Sequence, residues 1–96
     1  MDKITVKETG GGAATVCDVV VEDGRSKTTH RVTVPEDLYQ RLTMGNISKA
    51  QCVEAAFRFL LDRESKESIL RSFDLPLISN YFPEFESQFA EYVPSE

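Results

Sequence analysis

Tryptophan is absent, histidine occurs once, and the only two cysteines, Cys17 and Cys52, lie far apart. No Cys-x-x-C pair occurs, and His30 has no second histidine to share a metal with, so metal-ligand spacing is missing. Nothing beside His30 makes up a set of nucleophile, base and orienting group. The expectation is therefore a protein that is not an enzyme and carries no metal or cofactor. No apolar run approaches the roughly 20 residues of a membrane-spanning helix, and the N-terminus has no signal-peptide core. These absences predict a soluble, cytoplasmic chain with no membrane partner. Gly10-Gly11-Gly12 is followed by neither Lys-Ser nor Lys-Thr nor an opening helix, so it reads as a turn at about 10–12 rather than a phosphate loop.

What is present points to one small domain spanning residues 1–96. Hydrophobic residues make up 41% and charged residues 28%, a globular balance. The net charge is −5, and its placement is uneven. Up to Arg71 there are 11 acids and 11 bases; beyond it stand Asp74, Glu84, Glu86, Glu91 and Glu96 with no Lys or Arg. The opposite bias falls at Arg25, Lys27 and Arg31, which have no acid among them.

Ile4 and Val6 alternate with polar neighbours as a short strand does. The segment "ATVCDVVVEDGRSKTTHRVTV" reads as a β-hairpin turning at Asp23-Gly24. With the loop at Asp23-Gly24-Arg25-Ser26, Glu22 faces Lys27 and Asp18 faces Arg31. Cys17, Val19, Val21, His30, Val32 and Val34 then share the other, mostly apolar face. In that register Cys17 faces inward and His30 is a core residue; Cys52 falls in the apolar first turn of a helix, and both cysteines read as reduced, buried small hydrophobes. Pro35 opens a first helix that Gly45 ends. Ser48 and Gln51 form a capping box for a second helix whose buried stripe is Val53, Ala56, Phe57 and Leu60, widened by Phe59 and Leu61. Ser65 caps a third, short helix through Phe73. The last stretch, "YFPEFESQFAEYV", holds five of the nine aromatic residues and reads as an acidic-aromatic helix over about 82–93.

The segments "RVTVPEDLYQRL" and "ISKAQCVEAAFRFLL", covering residues 31–61, resemble the ribbon-helix-helix family. That resemblance implies a strand paired across a dimer in the DNA major groove, with Lys27, Thr29, Arg31 and Thr33 as readers. It also implies a phosphate anchor at Ser48 and Lys49, and a function as a DNA-binding regulator or antitoxin using residues 27–33. The family's first helix is about one turn longer than Pro35 and Gly45 allow here. Across the inferred hairpin, Asp18 and Glu22 neutralise Arg31 and Lys27, and duplex binding needs an uncompensated basic surface. The segment "ESILRSFDLPLISNYFPEFE" is similar to small bacterial proteins without an assigned function, which implies a bacterial, soluble chain and no site residues.

Taken together, the residues predict an α+β domain: a small antiparallel hairpin or meander followed by three to four helices. Its expected role is a non-catalytic protein-binding or regulatory module, acting on an unidentified protein or by self-association rather than on nucleic acid. The candidate surface is the C-terminal helix, with Phe85, Phe89, Tyr92, Glu84, Glu86 and Glu91. The competing expectation for the same helix is that its phenylalanines close the core while the acids stay displayed.

Overall fold

The computed structural model describes residues 2–10 and 14–93. Three antiparallel strands, β1 (Lys3–Glu8), β2 (Ala14–Glu22) and β3 (Lys27–Pro35), form a meander. Helices α1 (Glu36–Thr43) and α2 (Lys49–Leu61) then cross over the sheet, and a three-residue strand, β4 (Ser72–Asp74), joins β3 in parallel. Two short helices follow, α3 (Leu77–Tyr81) and α4 (Phe85–Gln88), and a 3-10 turn, Phe89–Tyr92, closes the described chain. The strand order is β1-β2-β3-β4 and the protein is an α+β fold. Gly10, two residues beyond β1, takes a left-handed φ of 78°. The rest of the predicted glycine turn, Gly11 and Gly12, lies outside the described residues.

The hairpin register follows from charge and apolar pattern together. Asp18 pairs with Arg31 and Glu22 with Lys27, and Arg31 Nε donates to Asp18 Oδ1 at 3.1 Å. The Asp23 carboxylate accepts the Arg25 and Ser26 amides at 3.0 and 3.1 Å, and Gly24 supplies the φ of 89° that the turn needs. Cys17, Val19, Val21, Val32 and Val34 are fully buried on the helix-covered side. The open side carries Lys3, Lys7, Asp18, Glu22, Lys27 and Arg31, so each acid of β2 lies between a base of β1 and a base of β3. Such rows of opposite charge suit a face left to solvent.

Helix α2 is the centre of the molecule. It is buried on two sides because the sheet packs on one and the C-terminal segment on the other, leaving Glu54 and Arg58 outward as an ion pair at 2.8 Å. Its start is the expected capping box: the Gln51 amide donates to Ser48 Oγ at 3.1 Å and the Ser48 amide to Gln51 Oε1 at 2.9 Å. Replacing Ser48 with Ala removes one acceptor and lowers stability by about 1 kcal/mol, read as a shifted denaturant midpoint at constant slope. Helix α1 ends in a left-handed Met44 (φ 54°) and Gly45 (φ 75°).

Both thiols are free and buried. Burial pushes Cys17 up to about 11 and Cys52 up to about 12, so both stay protonated and unreactive at neutral pH.

Two expectations are corrected. The stretch from Ser65 to Phe73 is not a helix: after a 3-10 turn, Lys66–Ser68, it extends into β4, where Phe73 pairs with Val32. A free edge of β3 competes for that backbone and wins, because strand pairing satisfies its amides where an isolated short helix is marginal. The C-terminal helix is likewise not continuous over 82–93. Phe82 has extended-side angles (φ −132°, ψ 88°), α4 begins at Phe85, and the chain tightens to 3-10 geometry from Phe89. The break lets Phe82, Phe85 and Tyr92 meet one residue of α2.

Candidate functional site: an apolar groove beside the C-terminal helices

The aromatic residues at the C-terminus surround Phe59 of α2. Its ring centroid lies 5.8 Å from Phe82, 5.0 Å from Phe85 and 5.6 Å from Tyr92, all edge-on, and Phe85 meets Phe89 at 5.7 Å. Phe85 and Phe89 are buried and close the core, while Tyr92 is half-buried. The acids of this segment are largely spent inside the molecule. Glu84 pairs with Arg63 at 3.1 Å and Glu86 with Arg41 at 2.9 Å, leaving Glu91 exposed. The arginines hold the carboxyls of Glu84 and Glu86 below the usual carboxylate range, with a backbone hydrogen bond contributing most at Glu84. Of the six residues read as a protein-binding surface, Phe85 and Phe89 are buried, Tyr92 and Glu84 are half-buried, Glu86 is an exposed partner of Arg41, and Glu91 is exposed.

The residues implied by the ribbon-helix-helix resemblance fall on two separate surfaces. Lys27, Thr29 and Arg31 are exposed and Thr33 half-buried on the open sheet face. Ser48 is engaged in its capping box, and Lys49 is paired with Glu36 at 2.7 Å and lies 5.3 Å from the Tyr39 ring centre. The two-chain ribbon needs a free edge on the reader strand. Here β2 takes one edge of β3 and β4 takes the other at Arg31–Thr33.

The concave apolar surface lies elsewhere, at the end of α2 farthest from the capping box. Leu60 and Glu64 form one wall, Ile69, Leu70 and Phe73 the second, and Leu77, Ile78, Tyr81 and Phe82 the third. The groove holds about 350 Å³, near the lower end of ligand sites at roughly 300 to 1,000 Å³. Its rim is the unusual part: Leu70 is 49% and Tyr81 66% exposed, although both are large and apolar enough to be buried. The sequence held a weak signal for this site. Ile69, Leu70, Phe73, Leu77 and Tyr81 are densely apolar, but they spread over a turn, a strand and a helix, so no single period marks them.

His30 fixes one wall of the groove. Its Nδ1 donates to the Leu70 carbonyl at 2.8 Å, and its Nε2 accepts from the Thr28 hydroxyl at 2.8 Å. Its ring packs 5.2 Å from Phe57. Because the carbonyl can only accept, the neutral Nδ1–H tautomer satisfies both contacts. Burial lowers the His30 pKa, with the nearby Arg71 charge adding to the effect and the Leu70 hydrogen bond opposing it. The folded state therefore binds this proton less readily than the unfolded chain. Its contribution to stability is present above the ordinary histidine value of about 6.5 and is lost as pH falls below it. Denaturant midpoints should fall between about pH 7 and about pH 5 in the parent chain, and this slope should disappear in His30→Gln.

Among the described residues, no group of three or more His, Cys, Asp or Glu side chains is placed to hold a metal ion, and no helix is long and apolar enough to cross a membrane. No family model, curated protein or solved structure matches the chain.

Proposed function

We propose that this chain is a non-catalytic protein-binding module, and that its recognition surface is the groove between the end of α2 and α3. The carrying observation is the pair Leu70 and Tyr81, exposed together at the rim of an apolar depression, whereas the other exposed large hydrophobic residue among those described, Met44, stands alone at the end of α1. An exposed aromatic side chain beside an apolar pocket is a common anchor of a protein interface, and a neighbouring aliphatic one adds apolar contact. Glu64 is the one carboxylate among the described residues that line the groove, and no second carboxylate or histidine stands with it to divide acid and base roles. The groove is also open along its rim, which suits a protruding peptide segment.

A photo-crosslinking side chain at Tyr81 tests this, with the same group at exposed Thr5 on the open sheet face as control. The reading requires an adduct specific to Tyr81 that reforms with the purified partner and is lost in Leu70→Asp. Equal crosslinking from both positions would defeat it.

This reading ranks ahead of DNA binding because the bases of the open sheet face are interleaved with Asp18 and Glu22. Titration of mixed-sequence duplex at physiological salt should show no tight binding. Sub-micromolar affinity, steep in salt and lost in Arg31→Ala, would reverse the ranking.

A further inference from the structure

The groove is built from the C-terminal part of the chain, where acids outnumber bases. From Asp62 to Val93 there are seven acids and three bases. Two of those bases are already committed: Arg63 is held by Glu84, and Lys66 by Asp23 at 2.8 Å and Glu67 at 2.6 Å. Lys3, Lys7, Lys27 and Arg31 stand on the open side of the sheet, away from the helices. In the groove wall Glu64 is half-buried and forms no ion pair with any described residue. An unpaired carboxylate in an apolar wall is better solvated by a cation than by another apolar group.

Resting on the groove reading above, we infer that the partner segment is basic and amphipathic. Its apolar side chains enter between Leu70 and Tyr81, and a Lys or Arg beside them meets Glu64. The exposed Tyr81 ring offers the same cation a π face. A second copy of this chain is a poorer occupant, because docking groove to groove across a two-fold axis brings Glu64 against its own copy. The net charge of −5 also speeds encounter with a basic segment, so the on-rate falls as salt rises.

The test uses two designed amphipathic peptides of equal apolar content, one of Leu and Lys and one of Leu and Glu, titrated into the labelled full chain. The Leu/Lys peptide should shift the amides of Glu64, Leu70 and Tyr81, and the Leu/Glu peptide should not. Affinity should drop about threefold to tenfold in Glu64→Gln, as an ion pair at a partly buried site allows, and should weaken with salt. Leu70→Asp and Tyr81→Asp should abolish binding, and both positions are exposed enough to keep the fold. If both peptides bind equally, Glu64→Gln has no effect and Leu70→Asp still abolishes binding, the basic partner is wrong while the groove stands. Binding indifferent to Leu70→Asp, or no binding by either peptide, overturns the groove reading itself.

Discussion

Phe85→Ala combined with Phe89→Ala should leave a chain without a cooperative unfolding transition at room temperature. Both rings are buried; their centroids lie 5.7 Å apart, and that of Phe85 lies 5.0 Å from Phe59. Truncating one buried Phe to Ala costs about 3–5 kcal/mol, from lost transfer energy and the cavity left behind. A domain of this size has in total about 5–15 kcal/mol of stability. The two costs are not strictly additive, because the rings share a contact. Even so, their combination approaches or exceeds the whole stability, and each single variant should melt far below the parent by circular dichroism. Truncation after Asn80 removes the same two rings together with Phe82 and Tyr92, and should have the same result. Melting of the truncated chain at the parent temperature would mean that the segment is not part of the fold.

Arg63→Ala should be the most damaging substitution of a charged residue. The guanidinium carbon sits 3.7 Å above the Phe59 ring centre, and its nitrogens donate to Glu84 at 3.1 Å, Gln88 at 2.7 Å and the Tyr92 hydroxyl at 3.3 Å. One planar side chain thus ties the end of α2 to three positions of the C-terminal segment while covering an aromatic face. Tyr92 extends the network by donating to Asp62 at 2.7 Å. Removing Arg63 strands those acceptors and uncovers Phe59. Hydrogen exchange should then accelerate selectively over residues 82–93 while the sheet amides keep their protection. Lysine cannot reproduce the fork or the stacking, so Arg63→Lys should recover only part of the loss. A lysine variant with parent-like melting and exchange would show that charge alone docks the segment.

Acid should loosen these links in an order that their chemistry sets. The carboxyls of Asp23, Glu36, Glu67, Glu84 and Glu86 all lie below their ordinary range in the folded chain. Lys66 is the main cause at Asp23 and Glu67, Lys49 at Glu36 and Arg41 at Glu86, whereas a backbone hydrogen bond leads at Glu84. Their stabilisation is present above the unfolded value of about 4 and disappears as pH falls below it, separately from the His30 effect at higher pH.

What local sequence determined here is what local physics can decide. The hairpin register followed from alternation and charge, since a shift by one residue would turn Cys17, Val19 and Val32 outward and set Asp18 away from Arg31. The capping box and the break at Gly45 depend on backbone groups within a few residues, so Ser48, Gln51 and Gly45 announced them. The burial of Phe85 and Phe89 was legible as one of two readings, because three phenylalanines at helical spacing are costly to leave in water.

The rest was decided by partners distant in the chain. Strand β4 exists because β3 offers it a free edge, which no local pattern around Phe73 shows. The acids of the C-terminal segment looked like a displayed charge until Arg41 and Arg63, some 45 and 21 residues away, claimed Glu86 and Glu84. Lys66 is buried with its ammonium held by Asp23, 43 residues earlier, as well as by its neighbour Glu67. The groove has the same origin: its walls come from four segments, and Leu70 and Tyr81 differ from buried leucines and tyrosines only in lacking a neighbour. Periodicity reports which face of an element is apolar, whereas exposure depends on what packs against that face, and only the tertiary structure fixes that.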